Sequence, residues 1–398
     1  MTILLVFFAL QIVVASLALL KLISQKLMVN ILRFSYAGFL IFSGSVKLID
    51  PLGFSYKLQE YFEVFGMEFL IPLSLFLSIS IILFEILLGL FLIYGYQVKK
   101  VMWGNLLLMG FFTFLTFFSA YFDKVTDCGC FGDFMKLDPW HSFLKDIHLL
   151  FVSVVLFVFQ DKIKPLLSSF FPVQGHGFKL TKQLLFVKFL VFLFIPIYTL
   201  SHLPFVDFRA YSLGKDVVQG RELPPDAKKD IYEDLWYYEI NGEVRQFFTS
   251  ESPWDIEGAV FKDRVTKLVS KGDEPPIHDF DLIDPLTETN ITDSILNMEK
   301  VLLLVSYDID KVNIGGYMSL LNKLVTVLES QVPIYGLSSS STNEISSKLS
   351  NENRYFNWLL VDQTTLKTMV RANPGVILLE KGVIVNKWHW RDFDKIDL

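Results

Sequence analysis

Long apolar runs fill the first half of the chain, and short ones broken by turn residues make up the second. A helix crosses a bilayer core with about 20 apolar residues. Six segments carry that pattern: 2–20, 30–48, 73–96, 101–121, 143–160 and 183–201. The third is apolar on both sides of a single charge, Glu85. The fifth opens among Lys145, Asp146 and His148, so it is expected to start as an interfacial helix after Pro139. Segment 56–64 is short and mixed in polarity and is expected to lie along the interface. The first segment lacks a basic leader and a small-x-small cleavage pattern and is read as a spanning helix.

Beyond 205 the pattern is that of a soluble chain. Leu235 to Ile240 and Glu243 to Phe248 flank Asn241-Gly242, the strongest short hairpin signal. The stretch holding Pro275, Pro276 and His278 reads as extended, with His278 a solvent-facing loop residue. From 300 onward the periods alternate. "KVLLLVSY" reads as a buried strand. A helix follows with Met318, Leu321, Leu324, Val325 and Leu328 on its apolar face, then the strand "VPIYGLS". Next come a helix capped by Thr342, the strand "FNWLLVD", a short helix, and a hairpin turning at Lys381-Gly382. This β-α-β-α-β-α-β-β order predicts an α/β sheet with helices on its faces.

Composition agrees with the membrane reading: 52% of the 398 residues are apolar, 39 of them phenylalanine. The net charge is −6 and no basic cluster stands out, which excludes a nucleic-acid partner. The placement of the charges orients the helices. Lys21, Lys26 and Arg33 surround the first loop, Lys99 and Lys100 sit in the third, and Lys162, Lys164, Lys179 and Lys182 in the fifth. Asp50, Glu60, Glu63 and Glu68 occupy the second, and Asp123, Asp127, Asp133 and Asp138 the fourth. Basic loops stay cytoplasmic. The fourth loop and everything after the last span are therefore expected in the periplasm, and the protein in the inner membrane.

Only two cysteines exist, Cys128 and Cys130, in "DCGCFGD" of the fourth loop. Three readings stay open. An oxidising compartment favours a disulfide, and a bond across one glycine closes a small ring of the labile, exchange-prone kind. Gly129 permits the bend, while Asp127 and Asp133 disfavour a thiolate. The second reading is a structural bond, or two small residues shaping a tight turn. The third is a metal held by Cys128, Cys130, His141 and an aspartate, although zinc takes about four ligands and this spacing matches no common pattern.

Glu85 must be protonated or paired inside a membrane. It is either a proton-handling group near the cysteine loop or one side of an interhelical contact with Lys47, Arg33 or Tyr36. Lys47 is read as snorkelling to the outer face, and the Gln11 amide as a hydrogen bond within the bundle.

Residues 36–64, "FEILLGLFLIYG" (84–95) and "DCGCFGDFMKLDPWHSFLKD" (127–146) resemble the DoxX/MauE-like membrane family, in particular its members with an appended thioredoxin-like domain. "VLLLVSYDID" and "RANPGVILLEKGVIVNKW" resemble that appended domain, with Asn373-Pro374 where it places a cis-proline. The resemblance implies a membrane α-helical bundle, a four-helix core with flanking helices, followed by a C-terminal α/β thioredoxin-like domain. The parts are an N-terminal transmembrane helix and loop (1–29), the bundle (30–165), a loop and last transmembrane helix (166–202), a linker and hairpin region (203–298) and the thioredoxin-like domain (299–398). That family's Cys-x-x-Cys is replaced here by Ser306-Tyr307-Asp308-Ile309-Asp310, so this domain has no thiolate with which to exchange disulfides. A cis Pro374 would leave a backbone edge able to take an extended peptide.

MauE proteins are associated with maturation of a disulfide-rich periplasmic enzyme subunit, and DoxX proteins with quinone-linked thiol redox. The resemblance implies a component of thiol-disulfide exchange or envelope-protein maturation. Cys128 and Cys130 would be the exchanging pair, Glu85 would handle protons, no metal is implied, and a quinone is the one cofactor in view. The partners would be the lipid bilayer and an envelope protein. The alternative is a non-catalytic scaffold whose redox-silent domain docks that partner. Small-molecule transport finds little support, since no internal repeat is visible.

Overall fold

The computed structural model describes residues 2–125, 129–167, 176–270, 272–329, 332–349 and 356–396. The chain divides into two compact units, Met1–Arg209 with Trp388–Lys395, and Ala210–Lys387 with Ile396–Leu398.

The first unit is helical: α1 (Thr2–Leu19), α2 (Gln25–Ile49), α3 (Pro51–Val64), α4 (Ser74–Tyr94), α5 (Val98–Phe122), α6 (Pro139–Val158) and α7 (His176–Ser201). Among the described residues, five stretches are long and apolar enough to cross a membrane: Gln25–Ile49, Glu68–Tyr94, Val98–Phe122, Pro139–Val158 and Lys179–Ser201. Five of the six expected spans correspond to these stretches, and the first falls on α1, described as an apolar helix over Leu4–Leu19. Phenylalanines such as Phe76, Phe114, Phe151 and Phe194 face outward, as lipid-facing side chains do.

The helix ends follow their local chemistry. Asp50 accepts from Gly53 N (3.2 Å) and Pro51 opens α3. Asp138 accepts from His141 N (3.0 Å) and Pro139 opens α6 as a full helix. The end of α4 is a Schellman motif: Tyr96 N donates to Phe91 O (2.9 Å) and Gly95 N to Leu92 O (3.1 Å). The Phe91 and Tyr96 rings close it at 5.3 Å. Gly95 has φ 64°, and a Cβ there would lie 2.6 Å from Lys164 O.

α2 and α4 pack backbone to backbone through small residues. A Cβ on Gly89 would lie 2.9 Å from Ala37 O, and one on Gly44 2.5 Å from Ile86 Cγ1. α3 turns Phe54, Ser55, Leu58, Tyr61 and Phe62 inward. It is pinned by Tyr61 Oη to Ser119 Oγ (2.7 Å), Ser55 Oγ to Ser74 Oγ (3.0 Å) and Ser78 Oγ to Pro51 O (2.9 Å).

The second unit holds α8 (Val217–Gly220) and a three-stranded antiparallel sheet of β1 (Ile231–Ile240), β2 (Glu243–Phe248) and β3 (Val260–Ser270), in the order β2-β1-β3. Ile240 pairs with Glu243 across Asn241-Gly242, whose φ values of 54° and 82° suit a two-residue hairpin turn. β3 was not expected; its residues all face solvent and carry no clean alternation.

The remaining elements are β4 (Ile283–Asp284), β5 (Thr289–Asn290), α9 (Thr292–Leu296), β6 (Val301–Ser306), α10 (Ile314–Glu329), β7 (Ile334–Ser338), α11 (Thr342–Leu349), β8 (Asn357–Leu360), α12 (Gln363–Met369), β9 (Gly375–Glu380) and β10 (Val383–His389). They form a seven-stranded sheet, β10-β9-β6-β7-β8-β4-β5, with β6, β7 and β8 parallel and β9 antiparallel to β6. All six residues of β6 are buried, as a strand covered on both faces must be. The short pair β4 and β5 extends the sheet beyond β8, an addition their two-residue lengths hid.

Two details differ from the sequence expectation. The cap of α11 is Ser341, not Thr342: Ser341 Oγ accepts from Glu344 N (3.3 Å), and Glu344 Oε2 accepts from Ser341 N (2.7 Å), a capping box. In the described part of α10, Tyr317 and Leu320 are buried and Met318 is exposed, while the side chains of Leu324, Val325 and Leu328 lie outside the described residues. Tyr317 is drawn in against Phe356, with ring centroids 5.8 Å apart. The Asn373-Pro374 peptide is cis.

Candidate functional site

Glu85 is 2% exposed and Lys47 3% exposed, and the two form an ion pair between α4 and α2. Lys47 therefore does not snorkel: its ammonium points into the bundle, 4.9 Å from the Phe112 ring centre and 5.4 Å from that of Phe54. The close α2–α4 crossing at Gly44 and Gly89 is what lets the two side chains meet. Of the partners weighed for Glu85, Lys47 is the one it takes. Arg33 serves elsewhere, donating to Leu92 O (2.7 Å) and Ile93 O (2.6 Å) at the end of α4, where a cation is favoured, and to Lys164 O (2.9 Å) of the loop after α6. Tyr36 Oη donates to Asn105 Oδ1 (3.3 Å).

A second buried ion pair joins Lys145 and Asp146 on α6. Both were visible in the sequence only as charges crowding the start of a span. Both turn inward, 6% and 1% exposed. Lys145 Nζ lies 5.6 Å from the centre of the Phe131 ring. Asp146 uses one oxygen for Lys145, and the other, Oδ2, lies 3.9 Å from Cys130 Sγ.

Cys130 is disulfide-bonded. Cys128 lies outside the described residues. Ser43 Oγ of α2 donates to Cys130 O (3.2 Å), fixing the loop to the bundle. Gly129 has φ 62°, the left-handed conformation that favours glycine, and a Cβ there would press on Lys57 Cγ at 3.0 Å. Phe131 is buried beside Phe39, with ring centroids 5.7 Å apart.

Cys130, both ion pairs and Ser43 line one small cavity of about 20 Å³, room for a water molecule. Two carboxylates, two ammonium groups and a sulfur thus meet inside an apolar bundle. Such a constellation can hold or pass protons next to a sulfur. Burying charge in this way costs stability unless it is paired, and both carboxylates have their cation.

Among the described residues, no group of three or more His, Cys, Asp and Glu could hold a metal ion. His141 is engaged by Asp138. Burial would raise the Asp138 carboxyl, but hydrogen bonds from His141 and its charge hold it below the usual range. Gln11 does bond within the bundle, Nε2 donating to Ser35 Oγ (2.9 Å) and Oε1 lying 2.8 Å from His148 Nε2. His278 is a loop residue half open to solvent beside Asp279.

The segment from Ser306 to Asp310 is held from several sides. Ser339 Oγ and Gln363 Nε2 donate to Tyr307 O (2.8 and 3.1 Å), and Asn373 Nδ2 donates to Asp308 O (2.6 Å). Asp308 pairs with Lys311 Nζ at 2.8 Å, which lowers its carboxyl despite the opposing effect of burial.

Fold and site together define a multi-pass membrane protein with a buried charged cavity and a sheet-rich C-terminal region. A family model described as "Methylamine utilisation protein MauE" matches residues 25–159. The match runs from the start of α2 through α6 and contains every residue of the cavity, so this stretch is MauE-like. No curated protein and no solved structure matches the chain.

Proposed function

We propose that this protein is an inner-membrane component of thiol-disulfide exchange or envelope-protein maturation, with Cys128 and Cys130 as the exchanging pair. One observation carries the reading: the disulfide-bonded Cys130 reaches to 3.9 Å from the carboxylate of a buried ion pair. A structural bond has no need of paired charges beside it. Thiol exchange does, since each sulfur must lose and regain a proton.

The charge pattern supports the orientation. Arg33, Gly95 and Lys164 meet at one end of the bundle, among the basic loops. Cys130, Lys57 and α3 lie at the other, among the acidic ones. On the positive-inside rule the cysteine end and the C-terminal region face the periplasm. That region is read as a thioredoxin-like domain. Supporting this are the three parallel strands β6, β7 and β8, the antiparallel β9 beside β6, and the cis Asn373-Pro374. With no cysteine there, its role is to hold a client or partner. Together with the resemblance described above, the match to a methylamine utilisation family makes maturation of a disulfide-bearing enzyme one such task. A quinone would serve as electron acceptor, and no residue is assigned to it.

Trapping tests the proposal. Cys130→Ser should accumulate a mixed disulfide between Cys128 and a client, visible on non-reducing gels. Absence of that adduct, together with full function of the double serine variant, would leave a scaffold. The tethering of Tyr307 and Asp308 by side chains, where a redox domain presents a free thiol, favours that second reading.

A further inference from the structure

We infer that Lys145 and Asp146 form a proton relay to Cys130 Sγ; this rests on the exchange reading above and assigns its proton-transfer groups. The geometry is that of a bridge. Asp146 gives Oδ1 to the Lys145 ammonium and turns Oδ2 toward the disulfide-bonded sulfur at 3.9 Å, beside the atom that gains a proton when the bond opens. The three groups are adjacent, in order, and shielded: Lys145 is 6% and Asp146 1% exposed. Glu85, proposed from sequence for this task, is engaged by Lys47 across the cavity.

In the exchange step a thiolate from a client dithiol attacks Cys128. The client–Cys128 bond forms, the Cys128–Cys130 bond breaks, and its electron pair leaves on Cys130 Sγ. A proton passes from Lys145 Nζ through Asp146 to that sulfur, balanced by the proton the client thiol released on ionising. The client's second thiolate then attacks its own mixed disulfide. The client disulfide forms and the Cys128 thiolate leaves, taking the second client proton. The client is oxidised by two electrons and the cysteine pair is reduced. In the reverse direction Asp146 accepts the Cys130 proton as that sulfur attacks. A carboxylate alone would only repel a thiolate; the lysine behind it makes the pair a donor as well as an acceptor.

Other ionisable groups facing Asp146 set its surroundings. Lys145 comes from its own helix, Cys130 from the loop, Lys47 and Tyr36 from α2 and Glu85 from α4, while α5 offers only Met109 and Phe112. Among the described residues these are the groups that can shape a pH profile of the exchange, and single substitutions separate them.

The test uses the full chain in lipid nanodiscs, with dithiothreitol as the dithiol. The rate of disulfide reduction is followed by acid quench and thiol labelling from pH 6 to 9 (about the usable window for thiol exchange). Lys145→Arg keeps the ion pair but cannot give up its proton. Both it and Asp146→Asn should react at least about tenfold more slowly at neutral pH, the scale of lost acid–base assistance. Both should retain only the pH dependence of the reagent. Asp146→Glu should recover most of the rate. Wild-type rates and pH profile in Lys145→Arg and Asp146→Asn overturn the relay while leaving the exchanging pair intact. Failure of the unsubstituted chain to react at any pH overturns the exchange reading, and the relay with it. Lys145→Arg carries the test should Asp146→Asn fail to fold.

Discussion

Lys47 and Glu85 lie 38 positions apart and meet inside the bundle as an ion pair with both side chains withdrawn from solvent. Neither charge has another way to be tolerated at that depth. Removing one partner strands the other, whereas removing both leaves an apolar contact. Glu85→Leu or Lys47→Met alone should destabilise the protein by about 3–5 kcal/mol, and the double variant should regain most of that loss. Thermal unfolding in detergent of the four species of this cycle reads the outcome.

The pair exists because α2 and α4 approach closely at Gly89 and Gly44. A side chain at Gly89 runs into Ala37 O, 2.9 Å from the first added carbon. Gly89→Leu should force the helices apart at a cost of about 1–3 kcal/mol. It should also weaken a disulfide engineered across the same interface, measured by oxidation yield.

Arg33 donates to two carbonyls at the end of α4, Leu92 O and Ile93 O, and to Lys164 O of the loop after α6. Lysine can supply charge there but not the planar fork. Arg33→Met should cost about 3 kcal/mol or more, with Arg33→Lys in between, as charge-assisted hydrogen bonds are lost. Proteolytic sensitivity of the loop around Gly95 should rise in parallel.

His389 is buried, and burial, with help from Arg391, pushes its imidazole down to about 4. The geometry agrees, since Nδ1 accepts from Arg391 N at 3.2 Å and must be unprotonated to do so. The folded state holds this residue neutral where the unfolded chain would protonate it, at about 6.5. Its contribution is full above about pH 6.5 and is lost as pH falls toward 4, up to about 3 kcal/mol in all. A melting curve from pH 7 to about 4.5 should decline for the wild type and decline less for His389→Gln, the remainder coming from other titrating groups.

Much of the architecture was legible where local chemistry decides it. The apolar runs place the long helices, and Asn241-Gly242 and Lys381-Gly382 mark their turns because few residues accept positive φ at both positions. The alternation from 300 onward gives the order of strands and helices. Tertiary partners were harder. Lys145 and Asp146 look like an interfacial start to a helix, and only packing of α6 against the cysteine loop reveals that they face inward. Lys47 sits near a helix end, where snorkelling is the usual outcome; its inward turn depends on Glu85, 38 residues away. β3 lacks alternation because it lies open on both faces, and β4 and β5 are too short to carry a period.

The oxidation state of Cys128 and Cys130 in growing cells tests the central claim most directly, read by trapping with acid and counting thiols with a heavy maleimide. An exchanging pair should be partly reduced at steady state and shift within minutes of a brief dithiothreitol or oxidant pulse. A pair that stays wholly oxidised through the same pulse would be a fixed crosslink, and the account would be wrong.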